Sequence, residues 1–207
     1  DRVLIYIEQG NYELALADYT RAIELDSTEP LFYSNRGITY AYHLYENEKA
    51  LSDINTAVDL AKVQEIDVSL NPLSYYISVR ARYYYELGDF ENSIIDFTRC
   101  IDLDPENAEY YQYRADAYEE LKKYDLALAD YERSLELAND IATKTIAIND
   151  RAIIYSKQGN YELAVAEYTR AIELDSTDPL FYNNRGIAYA YHLFENEKAL
   201  SDYNTAV

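Results

Sequence analysis

The side chains that could do chemistry are few in kind: His43, His192, Cys100, and a large set of carboxylates and tyrosines. Acid–base or metal chemistry would fall first to the histidines, because imidazole titrates near neutrality without help. They stand in H-L-Y-E-N-E-K from His43 and H-L-F-E-N-E-K from His192, so they are one feature written twice. An imidazole beside acidic residues near a turn caps or packs, and neither is read as catalytic. Nucleophilic chemistry would need Cys100 as a thiolate in an electropositive setting. The equivalent places elsewhere in the chain hold Ala or Ser, which marks Cys100 as a small buried residue. No phosphate-binding glycine loop, H-E-x-x-H or nucleophile elbow occurs, and the carboxylates stand at the spacings of solvated helix faces. No catalytic residue, cofactor or metal is expected, and the chain is read as a non-enzyme. The 25 tyrosines belong by default to the core, with the hydroxyl reaching water. The runs Tyr75-Tyr76 and Tyr83-Tyr84-Tyr85 cannot all face one core, so some of these are expected to be exposed.

The elements that must carry these residues are repetitive. Gly10–Val58 recurs as Gly159–Val207 with seven differences: Leu16/Val165, Asp18/Glu167, Glu29/Asp178, Ser34/Asn183, Thr39/Ala188, Tyr45/Phe194 and Ile54/Tyr203. An offset of 149 residues is too long for one supersecondary unit, and a shorter period lies inside it. Small residues recur at Ala22, Ala57, Cys100, Ser134, Ala171 and Ala206, spaced 35, 43, 34, 37 and 35. Seven positions before each is another: Ala15, Ala50, Ser93, Ala127, Ala164 and Ala199. Between them stand Tyr19, Ile54, Phe97, Tyr131, Tyr168 and Tyr203. Positions i, i+4 and i+7 share one helix face, so this face lets two helices approach closely around an aromatic or aliphatic plug. Upstream of each such helix lies a second amphipathic segment, carrying Tyr6, Tyr40, Tyr84, Tyr118, Tyr155 or Tyr189. Gly10-Asn11, Gly88-Asp89, Lys122-Lys123 and Gly159-Asn160 supply the left-handed residue and cap of a tight helix–helix turn. D-S-T-E-P at Asp26–Pro30, D-P-E-N at Asp104–Asn107 and D-S-T-D-P at Asp175–Pro179 put cap residues and proline where the next helix starts. Each unit reads as a helical hairpin.

A hairpin unit of about 34 residues with these small and aromatic positions in order resembles the tetratricopeptide repeat. The resemblance covers essentially the whole chain. It is cleanest in Ala81, Tyr84, Gly88-Asp89-Phe90, Ser93, Phe97, Cys100 and Pro105. It implies an all-α, right-handed α-solenoid of six hairpins forming one array over residues 1–207, with approximate repeats 1–28, 29–65, 72–107, 108–141, 142–178 and 179–207. The second and sixth hairpins carry one extra residue in the turn and lack its glycine. Nine extra residues between Ala57 and Cys100 read as a helix running to about Glu65 and a loop ending at Asn71-Pro72, and three more fall near Asn139–Thr143. The first repeat starts midway through its first helix and the sixth stops inside its second. The chain begins with Asp and contains no Met, so a piece of a longer protein is expected, with a frayed last turn and open ends able to stack.

Composition narrows the partners. With 49% hydrophobic residues in 207, the chain can bury a sizeable core. No apolar run approaches the roughly 20 residues of a membrane span. One cysteine excludes an internal disulfide framework and a cysteine zinc site, and it fits a reducing compartment, which favours the cytoplasm. A formal net charge of −20 repels nucleic-acid backbones and anionic membranes and favours basic or neutral partners.

The resemblance also implies a concave groove lined by the first helix of each pair. Its residues would be Leu31, Ser34, Ile38, Ala41 and Tyr42; then Tyr75, Ser78, Arg82, Tyr85 and Glu86; then Glu109, Gln112, Asp116, Glu119 and Glu120; then Asn149, Ile153, Ser156 and Lys157; then Asn183, Ile187 and Tyr191. A peptide with hydrophobic anchors and a basic stretch would complement that order. Some members of the family grip a C-terminal carboxylate with lysines, asparagines and an arginine. Here Asn35 and Asn184 match the middle asparagine, but Leu4 and Ile153 stand at the first asparagine position, Asn149 at the first lysine, and Tyr75 and Val79 at the last two cations. A carboxylate there would be desolvated and unpaired, so that clamp is rejected. Asn35 and Asn184 remain as donors to an extended peptide backbone, and Arg36 and Arg185 as partners for acidic side chains of neighbouring helices. The expected function is a non-catalytic protein–protein interaction scaffold. Its rivals are end-to-end self-association and, against the charge, helical-repeat RNA binding.

Overall fold

The small–aromatic–small segments fold as helices, and in the four middle hairpins all three residues of that face are buried. The computed structural model describes residues 2–63 and 73–206, and among them run twelve α-helices: α1 (Arg2–Glu8), α2 (Tyr12–Leu25), α3 (Pro30–Thr39), α4 (Asn47–Val63), α5 (Leu73–Glu86), α6 (Phe90–Leu103), α7 (Ala108–Glu120), α8 (Tyr124–Leu137), α9 (Ile141–Lys157), α10 (Tyr161–Leu174), α11 (Pro179–Ile187) and α12 (Asn196–Thr205). Consecutive odd and even helices pack as hairpins. The chain divides into two units, residues 1–104 with α1–α6 and residues 105–207 with α7–α12. Ala15, Ala50, Ser93, Ala127, Ala164, Ala57, Cys100, Ser134 and Ala171 are all buried, as are the plugs Tyr19, Ile54, Phe97, Tyr131 and Tyr168. Where α3 crosses α4 the approach is closer still. A Cβ on Gly37 would sit 2.8 Å from Ile54 Cγ1 and 3.1 Å from the Ala50 carbonyl oxygen, so only glycine fits without displacing backbone.

All six hairpin turns close on the same atom. The carbonyls of Tyr6, Tyr84, Tyr118 and Tyr155 accept the N–H groups of Asn11, Asp89, Lys123 and Asn160, five residues on, at 2.8–2.9 Å. In the two longer hairpins Tyr40 and Tyr189 accept from Glu46 and Glu195, six residues on, at 3.0 and 2.9 Å. The extra residue is absorbed by a turn of π-helix at Tyr40–Leu44 and Ala188–His192, a bulge that widens the helix without opening the closure. The residue before each closing N–H is left-handed: Gly10, Gly88 and Gly159 where glycine is available, and Tyr45, Lys122 and Phe194 where it is not.

The other junctions start helices as their residues require. Glu29 and Asp178 accept from the N–H of Leu31 and Leu180, with Pro30 and Pro179 in the first turn. Asp140 caps α9 through the N–H of Thr143. The three extra residues near Asn139–Thr143 lengthen α9 to 17 residues against 13 in α7. The expected end of α4 near Glu65, the loop to Asn71-Pro72 and the frayed turn at Val207 lie outside the described residues.

Within every hairpin an arginine of the first helix meets a carboxylate of the second. Arg36, Arg80, Arg114 and Arg185 make two-pronged hydrogen bonds to Asp53, Asp96, Asp130 and Asp202, with both contacts at 2.7–2.8 Å. Arg2 does the same with Asp18 at 2.7 and 2.5 Å. In the fifth hairpin the longer Glu167 meets Arg151 less well, at 3.5 Å, and Arg151 also takes Glu132 of the preceding helix α8. Hydrogen bonding to the aspartate raises the Arg36 pKa further above its ordinary value. The guanidinium also lies over tyrosine rings three residues before or four after it, such as Tyr33 for Arg36 and Tyr111 and Tyr118 for Arg114, at 5.8–5.9 Å.

Two stability predictions follow from this geometry. Asp53→Ala leaves the mostly buried Arg36 unpaired and should destabilise the fold by about 3 kcal/mol; joint replacement of Arg36 by Met and Asp53 by Leu should cost less, as read in a denaturant double-mutant cycle. Lys122 holds φ +57°, which costs an L-residue about 1 kcal/mol. Lys122→Gly should raise the urea midpoint, with the slope of the transition unchanged.

Candidate functional site

The inner helices, the odd-numbered ones, bring the expected groove residues together in groups. In the first unit Tyr42, on the π turn after α3, is exposed and sits edge-on to the buried Tyr83 of α5 at 6.3 Å. Arg82 and Glu86 of α5 are close enough to act on its hydroxyl, whose pKa is raised chiefly by burial. Asn35, Ile38, Tyr75 and Tyr85 are half-buried on the same helices, while Ser34 is buried, so its side chain lies beneath the surface and not on it. The exposed tyrosines expected from the runs are not those of α5. Tyr76 and Tyr83 are buried, and Tyr75, Tyr84 and Tyr85 are half-buried, because Arg80 covers the Tyr84 ring at 6.0 Å and Phe90 meets Tyr85 at 5.3 Å. The exposed aromatics are Tyr42 and Tyr191 on the π turns and Tyr45 and Phe194 at the left-handed positions.

In the second unit the inner face carries a hydrogen-bonded polar strip. Asn184 of α11 donates to Asn149 of α9 at 3.2 Å, and Asn149 donates to Asp150 at 3.1 Å. Gln112 of α7 also hydrogen-bonds Asp150. Beside it, the Tyr131 hydroxyl of α8 donates to Asp116 at 2.5 Å, with Glu119 at 3.3 Å, and Lys157 of α9 donates to Glu119 at 2.5 Å. Burial pushes the Asp116 carboxyl up to about 6, and Glu119 and Glu120 add to the shift while the tyrosine opposes it. Burial, then the charge of Asp116, pushes Asp150 up to about 7. Burial and the same carboxylates drive the Tyr131 hydroxyl far up, so it stays a donor. Gln112 and Asn149 are buried and act as braces under the strip. Glu120 is exposed, as are Glu109 in the first turn of α7 and Asn183 midway along α11, apart from the strip. Asp150, Tyr131 and Tyr168 were not foreseen as site residues. Asp150 and Tyr131 share the strip with Asp116, and the register that places Asp150 directly before the pairing Arg151 was the signal that could have found it.

Next to the strip lies an apolar cavity of about 260 Å³, lined by Ile153, Ser156, Lys157, Tyr168, Asn184 and Ile187 among others. Ile187 and Tyr191 remain open to solvent beside it. The cavity has room for one apolar side chain, and Lys157 on its wall pairs with Glu119 of the strip.

The residues set aside as non-catalytic have structural partners. His43 stacks on Tyr12 at 4.3 Å and His192 on Tyr161 at 3.8 Å, nearly parallel, so each ties a turn to the helix of the preceding hairpin. Cys100 is buried, donates to the Ser74 carbonyl at 3.4 Å, and burial pushes its thiol up to about 12. Arg36 and Arg185 pair within their own hairpins, with Asp53 and Asp202.

Family models match most of this architecture: one described as TPR repeat over residues 4–42 and 154–191, and one described as tetratricopeptide repeat over 79–140. Human RNA polymerase II-associated protein 3 is 30% identical over 140 residues, 68% of this chain and 18% of that protein; the chain thus spans less than a fifth of that relative. The C-terminal part of a TPR repeat-containing protein from Cytophaga hutchinsonii superposes with a TM-score of 0.76 at 16% identity, over 99% of this chain and 76% of that one. YrrB, described as a TPR protein with an unusual peptide-binding site, gives a TM-score of 0.63 at 21% identity, over 91% and 90% of the two chains.

Proposed function

This chain belongs to the tetratricopeptide repeat family, whose repeats serve as protein–protein interaction scaffolds, and we propose that it binds an extended protein segment on the inner faces of its hairpins without catalysing a reaction on it. The segment would carry an apolar anchor and a basic stretch. The observation that carries this reading is the pairing, in the second unit, of the cavity lined by Ile153, Tyr168 and Ile187 with the carboxylates of Asp116, Glu119, Glu120 and Asp150. An aliphatic or aromatic side chain has a desolvated seat there, and a neighbouring lysine or arginine finds charge-assisted acceptors. Asn35 and Asn184, half-buried on the inner helices, have amide groups suited to a peptide backbone. The peptide-binding description of YrrB is consistent with this use of the fold.

Binding can be tested with an array of fluorescent peptides that combine leucine or phenylalanine with lysine and arginine. Glu119→Lys with Glu120→Lys should weaken the best binder about tenfold, roughly 1.4 kcal/mol, with helicity intact. Ile187→Glu should do likewise through the cavity. Unchanged affinity in the lysine variant would refute the acidic subsite.

A second reading, self-association, has its own observation. An open cavity of about 510 Å³ is lined by Asp178, Pro179, Leu180, Asn183, Tyr203 and Ala206. In the first copy the equivalent Pro30, Ser34, Ile54 and Ala57 are buried, with the buried Tyr76 of α5 near Glu29. Sedimentation at high concentration separates the readings: a concentration-dependent rise in mass supports self-association, and a strict monomer removes it.

A further inference from the structure

The apolar cavity of the second unit owes its room to two small side chains. It is bounded by α9, α10, α11 and the π turn that follows α11, and each position on its wall has a counterpart 149 residues earlier in the chain. Tyr12, Tyr19, Asn35, Ile38 and His43 stand unchanged where Tyr161, Tyr168, Asn184, Ile187 and His192 line the cavity. Leu4 for Ile153 keeps the bulk, and Glu8 for Lys157 reverses a charge. Ser156 and Ala188, by contrast, replace the larger Ile7 and Thr39. Thr39 is buried and donates its hydroxyl to the Asn35 carbonyl at 2.9 Å, so the space that a threonine fills in the first copy is left free beside Ala188. The polar groups on the wall do not compete for it. Lys157 donates to Glu119 at 2.5 Å and Asn184 to Asn149 at 3.2 Å. The Ser156 hydroxyl has the Tyr168 hydroxyl as its partner, and His192 stacks on Tyr161 while staying exposed to water. A cavity whose polar groups are engaged in this way favours an apolar occupant over water.

Resting on the reading that the inner face takes a protein segment, we propose that this seat accepts one aromatic side chain of the segment, phenylalanine or tryptophan, and that Ser156 and Ala188 select it. Size decides between the apolar candidates. An apolar cavity of about 150 Å³ holds a benzene molecule; at about 260 Å³ the seat has room for a phenyl or indole ring together with the methylene that carries it. A leucine or valine there leaves part of the lining without contacts, and those contacts are what close packing gains. Because Ile7 and Thr39 occupy the corresponding places, the first copy does not share the preference.

The chain contains no tryptophan, so the fluorescence of N-acetyltryptophan amide, excited outside the tyrosine band, reports its own burial when the full chain is added. Its emission should shift to the blue and saturate. N-acetylphenylalanine amide should displace it, and N-acetylleucine amide should need about tenfold more. Ser156→Ile with Ala188→Thr should weaken the probe about tenfold or more; both introduced side chains stand at these places in the first copy, so helicity should hold. An unshifted emission, equal displacement by the leucine amide, or a filled variant that binds like wild type would each overturn the seat. Should the variant not fold, the methyl resonances of Ile153, Ile187 and Ala188 in the wild-type chain decide: saturable shifts that are larger with the tryptophan amide than with the leucine amide support the proposal, and shifts confined to other residues overturn it. The probe is a single residue, which separates the seat from the segment reading. Peptides that bind without preference for an aromatic residue leave that reading standing and remove the seat, and a bound probe with no binding peptide does the reverse.

Discussion

The guanidinium–carboxylate pair inside each hairpin is the constraint on which the remaining packing depends. Both partners are mostly withdrawn from water: the Arg36 and Asp53 side chains keep 18% and 9% of their exposure, and Arg114 and Asp130 keep 17% and 10%. A charge so placed is tolerable only with its partner in register. The planar fork of arginine fixes more than distance, since two parallel hydrogen bonds set the rotation of one helix against the other. The pair also reaches outward. Arg36 donates to Thr20 of α2 and Arg185 to Thr169 of α10 at 3.1 and 2.9 Å, and Arg80 to Asn55 of α4 at 3.1 Å. One side chain thus fastens its own hairpin and the helix before it.

The tyrosines acquire a reason from the same pair. Those four residues after the arginine, such as Tyr84 and Tyr118, put a ring beside the guanidinium and a carbonyl at the turn closure. The hairpin is therefore gauged from both ends of one short segment, with arginine setting the crossing and tyrosine setting the turn. The inserted residue of the second and sixth hairpins lies beyond the tyrosine, between it and the closing N–H, and the π turns absorb it. There the arginine and its acid are seventeen residues apart instead of sixteen, and neither anchor moves.

This arrangement was partly legible in the sequence. Small residues on a helix face are visible because a face is periodic within one helix, so Ala15, Ala50, Ser93 and their equivalents read as core and were core. The arginine–acid pair joins two helices across a turn, and its spacing means nothing until the hairpin is folded. Arg36 and Arg185 were read as pairing residues only because asparagine neighbours drew attention to them, and Arg2, Arg80, Arg114 and Arg151 passed unnoticed. The three extra residues near Asn139–Thr143 carried no signal of the element they would join; Asp140 accepts from the Thr143 N–H and starts a helix there, and α9 is the longer for it. For the expected groove, helical register could not separate a surface residue from one pressed between consecutive odd-numbered helices. Ser34, Gln112 and Asn149 belong to the second kind.

The acidic strip stands out against this background because it breaks the local rule. Two residues past the pairing arginine, the other hairpins place Leu4, Ile38, Arg82, Ile153 and Ile187; the fourth places Asp116. Immediately before it stand Asp1, Asn35, Val79, Tyr113 and Asn184, and in the fifth Asp150. An excess of acid kept for solubility gains most from full hydration and has no reason to occupy a half-buried position such as that of Asp116, where four of the five other hairpins hold leucine or isoleucine and desolvation raises its cost. Placing the two carboxylates on consecutive inner helices, with their arginine neighbours already committed to other acids, compounds that cost. Natural sequences are locally consistent except where something other than stability is being served, and here the inconsistency is confined to the face of the second unit that also carries the open apolar cavity.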